Sequence, residues 1–241
     1  MTPKILIPIP DKDFDLTEVA VPWKRFTENN YQVVFATEKG AVGVTDQRLI
    51  DGVIFGQLGA KPYAIAIYNE MLQSKEYNNP ITYNAIKPND YILLHLPGGH
   101  AKGVKQYLES TILQKKVAEF FYQNKLVGSI CHGAIVLART KDKNTGKSIV
   151  ANRKLTALTK GLEKLAYYIT AWKLKDYYRT YPTYTQDEVQ KSLSNKSNFK
   201  TGPFMFKPFV CKDKNLITAR WPKDIELYCK TLLKVLQSRK I

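Results

Sequence analysis

Short, uniformly apolar runs alternate with longer amphipathic ones along most of this chain, and that alternation restricts the fold more than any other feature. KILIPI (4–9), YQVVFAT (31–37), DYILLHL (90–96) and KLVGSI (125–130) have strand length and almost no polar interruption. Between them, residues 16–30, 61–74 and 103–124 carry helical spacing. Strands alternating with helices of a dozen residues imply a mostly parallel sheet covered by helices on both faces. Pro22 must then sit in the first turn of its helix or bend it. Further on, RKLTAL (153–158) reads as another strand and 161–174 as a helix. KPFVCK and LITA flank DKN as a hairpin, followed by a helix from about Pro222 to Leu236. Residues of about 173–205 mix aromatics, Asn and Ser and read as an excursion with one short helix. No repeat or linker divides the chain, so one domain over residues 1–241 is expected.

Composition narrows the class. With 44% hydrophobic residues among 241, the chain can bury a sizeable core. The net charge of +16 is spread along the sequence, and only seven of the 37 basic residues are Arg. That pattern fits a solvated, lysine-rich surface and argues against a nucleic-acid partner. No run approaches the roughly 20 apolar residues of a membrane span, and the start has no signal-peptide pattern, so a cytoplasmic protein with no membrane partner is expected. Three cysteines, Cys131, Cys211 and Cys229, are odd in number and far apart, which argues for free thiols in a reduced compartment.

Chemistry concentrates where two strands end. In an open α/β sheet the carboxyl ends of the strands form the ligand crevice; here those ends read PGGH (97–100) and ICHG (130–133). A cysteine between a strand and a helix start is placed as on a nucleophile elbow, where the helix N-terminus is expected to lower its pKa. Gly133 lets the backbone pass tightly. The N–H groups of His132 and Gly99 are candidates for an oxyanion hole. Cys211 and Cys229 read as core residues.

LLHLPGGHAKGVKQYLES, GSICHGAIVLART and ITARWPKDIE together resemble the ThiJ/PfpI superfamily of the class I glutamine amidotransferase-like fold. The likeness is greatest to the branch with the stress-inducible chaperones and glutathione-independent glyoxalases. The resemblance implies a flavodoxin-like three-layer sandwich with Cys131 on a strained turn. It also implies a carboxyl beside the sulfur, at Glu18 in DLTEVAVPW, and an acidic residue orienting His132, at Glu163 in LTALTKGLEKLAYY. By the same similarity Tyr178, Arg179, Arg220 and Trp221 line the cleft as substrate anchors, and His100, in the PGGH turn, is read as rimming it.

The three histidines, His95, His100 and His132, limit the reaction. None follows His132, so the downstream base of a glutaminase or a papain-like protease is missing. No paired-ligand spacing suggests a metal, and none is expected. What remains is thiolate addition to a small reactive carbonyl such as methylglyoxal, with Cys131 as nucleophile, Glu18 or His132 moving protons, lactate as product and no cofactor. A holdase chaperone or redox sensor with an oxidisable Cys131, and a small peptidase or amidase, stay open as alternatives, as does a homodimer.

Overall fold

The computed structural model describes residues 2–53, 59–203, 205 and 207–239. Strand β1 (Lys4–Pro8) leads through the short β2 (Lys12–Phe14) into helix α1 (Leu16–Glu28). β3 (Gln32–Thr37), β4 (Val44–Thr45) and the one-turn α2 (Arg48–Asp51) follow, then α3 (Pro62–Leu72), α4 (Lys75–Asn78) and β5 (Ile81–Thr82). The central segment runs β6 (Tyr91–Leu96), α5 (Lys105–Glu109), α6 (Thr111–Tyr122), β7 (Leu126–Ile130) and α7 (Gly133–Arg139). The last third holds α8 (Lys160–Leu174), α9 (Thr185–Ser192), β8 (Val210–Asp213), β9 (Leu216–Ala219) and α10 (Ile225–Ser238).

Seven strands form one sheet in the order β5-β3-β1-β6-β7-β9-β8. All neighbours run parallel except the β8–β9 hairpin. This three-layer α/β arrangement is the flavodoxin-like sandwich that the alternation and the resemblance implied. One apolar cluster packs α1, α3 and α10 on one face of the sheet through residues such as Val19, Phe26, Met71 and Leu232. The other packs α5, α6, α7 and α9 on the opposite face through Leu108, Val117, Leu137 and Val189. Among the described residues no helix is long and apolar enough to cross a membrane.

One expectation narrows and one changes. Pro22 lies inside α1, well past its first turn, which excludes the first of the two places open to it. RKLTAL is no strand: its only ladder pairing among the described residues is an isolated bridge, Leu155 to Phe199, while Thr156 N donates to Thr218 Oγ1 at 2.8 Å. The edge of β7 that such a strand would need is occupied by β9.

The expected role of Arg220 also changes. Its guanidinium is buried, donating to both carboxylate oxygens of Asp224 at 2.8 and 2.9 Å and to the carbonyls of Pro203 and Lys207 at 2.7 and 2.8 Å. Every one of its nitrogens is thus committed to tying the end of the excursion to the turn after β9, leaving none for a ligand. Breaking one side of a buried pair strands a charge, at about 3–5 kcal/mol. Arg220→Ala is therefore expected to destabilise the fold by about that much in urea unfolding, and Arg220→Lys to recover little of it, because an ammonium cannot reproduce the fork. Recovery of full stability by lysine would contradict the clamp.

Candidate active site

The carboxyl ends of β6 and β7 lie side by side, paired from Leu93–Leu126 to Leu96–Ser129. Beyond β7 the chain turns at Cys131, whose φ of 56° is left-handed, a conformation that costs a non-glycine residue about 1 kcal/mol or more. Gly133 makes this turn fit: a Cβ there would collide with the carbonyls of Leu96 and Pro97. The elbow expected from sequence is therefore present, with α7 starting immediately after it.

His132 follows on the bend with its ring turned back, Nδ1 standing 3.4 Å from the Cys131 sulfur. Its Nε2 is 3.4 Å from Thr180 Oγ1. The Thr180 hydroxyl donates its one hydrogen to the His100 carbonyl at 2.7 Å, so toward His132 it can only accept. This places the imidazole proton on Nε2 and leaves Nδ1 as an acceptor facing the thiol. Burial, reinforced by His100, holds the His132 pKa well below the ordinary imidazole value, so the ring is neutral.

Glu18 reaches the same place from the first turn of α1, a helix capped by Asp15, whose Oδ1 accepts from the N–H groups of Thr17 and Glu18 at 2.8 and 3.1 Å. Glu18 Oε2 accepts from Gly98 N at 2.8 Å. Its Oε1 is buried without a hydrogen-bond partner. Burial, then the charge of Asp15, push the Glu18 pKa well above the usual carboxylate value, so this carboxyl carries its proton. Asp15 itself is raised by burial to about 6.

The expected lowering of the thiol pKa is not what the resting site produces. Burial pushes Cys131 well above a free thiol, with the Glu18 and Asp15 charges acting in the same direction and only the His132 N–H favouring the thiolate. Holding the proton on Glu18 removes one of those opposing charges, and His132 Nδ1 stands ready to accept the thiol proton.

Glu163 arrives close by but not in the role that the resemblance implied. It is buried, and its Oε2 accepts from Thr185 N at 2.9 Å. Thr180, not Glu163, holds the far side of the His132 ring. One ligand atom each of His100, His132 and Glu163 lie within 4.8 Å of one another, making these the described residues that could hold a metal ion. Linear spacing gave no sign of them because they come from three separate segments, and a cation there would compete with Cys131 and Thr180 for the His132 ring.

His100, Tyr178 and Trp221 join Cys131 and Gly99 around a cavity of about 490 Å³. The His100 ring lies 4.9 Å from that of His132 and 5.5 Å from that of Tyr178, and burial lowers its pKa to about 4. Arg179 stacks on Tyr184 at 4.1 Å and donates to the Pro182 carbonyl, while its Nη1 is buried without a hydrogen-bond partner and its charge reaches His100. Cys211 and Cys229 are buried free thiols on β8 and α10, as expected of core residues. Sequence reasoning missed Thr180, whose only signal was its place beside Tyr178 and Arg179.

Sheet order, elbow and flanking carboxyl define a cysteine-elbow α/β protein. A family model described as ThiJ/PfpI family-like matches residues 9–203, and the chain belongs to the ThiJ/PfpI family. The uncharacterised protein C14C4.04 of Schizosaccharomyces pombe is 27% identical to it, over 98% of this chain and 85% of that protein. The glutathione-independent glyoxalase hsp3102 of the same yeast is 27% identical over 62% of this chain and 61% of its own length. The crystal structure of glyoxalase III from Candida albicans superposes with a TM-score of 0.74 at 18% identity, covering 97% of each chain.

The Glu18 environment makes a signed prediction. Unfolded glutamate ionises near pH 4.5, whereas folded Glu18 keeps its proton to higher pH. Above pH 4.5 the unfolded state therefore binds fewer protons, and stability drains away as pH rises toward the folded pKa. Glu18→Gln escapes this loss, while the contributions of the depressed histidines are common to both proteins. The melting temperature of Glu18→Gln relative to wild type is expected to climb between pH 4.5 and pH 8; a difference that stays constant would mean that Glu18 is ionised in the fold.

Proposed function

We propose that the protein is a cofactor-independent, glutathione-independent glyoxalase that converts 2-oxoaldehydes, with methylglyoxal as the simplest, into 2-hydroxy acids. The observation that carries this reading is the contact of Cys131 Sγ with His132 Nδ1 at 3.4 Å on a left-handed elbow, beside a protonated Glu18. Relatives named glutathione-independent glyoxalase or glyoxalase 3 support it.

In this mechanism the thiol proton passes to His132 Nδ1 as sulfur bonds to the aldehyde carbon. The resulting oxyanion is met by the His132 and Gly99 N–H groups and protonated, giving a hemithioacetal. Gly99 suits this role because the N–H of Gly98, its neighbour in the turn, is already committed to Glu18. A base, His132 or Glu18 once it has shed its proton, removes the hydrogen on the former aldehyde carbon and returns a proton to the adjacent carbon. The first carbon is oxidised to a thioester as the second is reduced to a carbinol, so no external redox partner is needed. Water then cleaves the carbon–sulfur bond, releasing the hydroxy acid and restoring the thiol. Thr180 is a positioning residue that keeps Nδ1 free of hydrogen.

Lactate is expected from methylglyoxal in the absence of glutathione. Cys131→Ala should abolish turnover, and full activity in that variant would refute the mechanism. Because proton-transfer groups contribute typically 10²–10⁴-fold, Thr180→Val should lower kcat by about ten-fold or more through loss of the ring's orientation, with Thr180→Ser restoring most of it. The acid limb of kcat/KM reports the base in the free enzyme. With the His132 pKa depressed, activity should persist below pH 6, and a limb at the ordinary imidazole value near 6.5 would exclude a buried neutral His132 as base.

A further inference from the structure

Helix α8 is amphipathic in an unusual sense. Leu162, Leu165, Ala166 and Ile169 follow i, i+3, i+4 and i+7, the spacing of a stripe that a surface helix ordinarily turns into the core. Yet the buried residues of α8 are the polar Glu163 and Thr170, while Leu165 and Ile169 stand 40% and 39% exposed. The stripe lines the cavity above Cys131. Leu158, Trp221 and Ile225 extend the same apolar lining, and the wall also carries polar groups, among them Asp15, His100, Lys61, Lys223 and Glu226.

A void of about 490 Å³ lies in the range of roughly 300–1,000 Å³ that encloses drug-sized ligands. Methylglyoxal, whose whole tail is one methyl group, leaves nearly all of that apolar wall wet. Apolar side chains facing water in a concave site gain nothing from it, and their burial against a hydrocarbon tail is what such a surface is suited to.

From this we infer that the preferred substrates are 2-oxoaldehydes bearing an extended apolar tail, alkyl or aryl, whose tail lies along the α8 stripe while the dicarbonyl head reaches Cys131. This rests on the glyoxalase reading of Cys131 and adds the substrate class. The reaction balances as before: the tail is a spectator, one water is consumed, and the dicarbonyl becomes a 2-hydroxy acid. Tail burial contributes to binding in ground and transition states alike, so its effect falls mainly on KM.

The test is a series of alkylglyoxals with methyl, propyl, pentyl and heptyl tails, assayed with the full-length protein. Given the transfer free energy of a buried methylene, about 0.8 kcal/mol, kcat/KM should rise by about four-fold per added CH2, so about fifteen-fold from methyl to propyl, until the cavity is filled. Ala166→Phe, which fills the stripe, should collapse the pentyl-to-methyl ratio toward unity. A flat or falling series with methylglyoxal still turned over would overturn the inference and leave the glyoxalase reading standing. Should no alkylglyoxal be turned over, the catalytic reading fails by itself. The cavity is then read by calorimetric titration with unreactive alkyl methyl ketones. Affinity that tightens with tail length, and no longer does so in Ala166→Phe, supports the apolar site; length-independent or absent binding overturns it.

Discussion

The left-handed turn at Cys131 is the constraint around which the site is assembled. It is unfavourable in isolation, and the surrounding structure holds it from three sides. Cys131 N donates to Ala219 O at 3.2 Å, fixing the end of β7 to β9. The backbone of Gly133 passes against the carbonyls that end β6, where no side chain would fit. Helix α7 begins at once, with Ile135 N donating to His132 O at 2.9 Å. A chain continuing as ordinary strand or helix through residue 131 would carry the sulfur into a packed layer and His132 away from it. The strain is thus what places thiol and imidazole together at the end of the sheet.

Burial governs the electrostatics of what the elbow presents. Glu18, Cys131 and His132 are withdrawn from water, and each is pushed toward its neutral form. Asp15, raised only to about 6 at the edge of the cavity, keeps its charge near neutral pH, and with its three central groups neutral the resting site avoids the cost of unpaired buried charge. His95 reinforces the frame: it bonds the Glu18 carbonyl and the Tyr228 hydroxyl, both at 2.8 Å, and burial lowers its pKa to about 4, so α1, β6 and α10 are joined without a charge.

The parallel sheet was legible because its central strands are buried on both faces, and that burial prints itself as unbroken apolar runs. Strands of two or three residues, β2, β4 and β5, leave no period to read. RKLTAL misled because Leu155 and Ala157 are fully buried, as a strand's would be, while its backbone bonds go to the excursion, with Lys200 N donating to Leu155 O. Cys131, His132 and Glu18 could be recognised, since elbow and resemblance point to them together. Thr180 could not, because a threonine among tyrosines has no signature until the fold carries it to an imidazole. Arg220 carried a usable signal that the resemblance overrode: an aspartate four residues on, placed for a buried pair.

Helix α8 joins these themes. Its order comes from polar ties: the Thr159 cap at its start, Glu163 receiving the Thr185 N–H, and Lys173 Nζ donating to the Val53 carbonyl. Glu163, held inward by those ties, lies beside His100 and His132, and the stripe on the same helix forms the wall over Cys131. One element therefore borders both the His132 ring and the cavity over Cys131. A helix stabilised by packing alone would have turned Leu165 and Ile169 into the core and left the cavity without its lining. Because polar contacts do the holding, the apolar face is left available, and an apolar tail in the cavity would supply the burial that this face lacks.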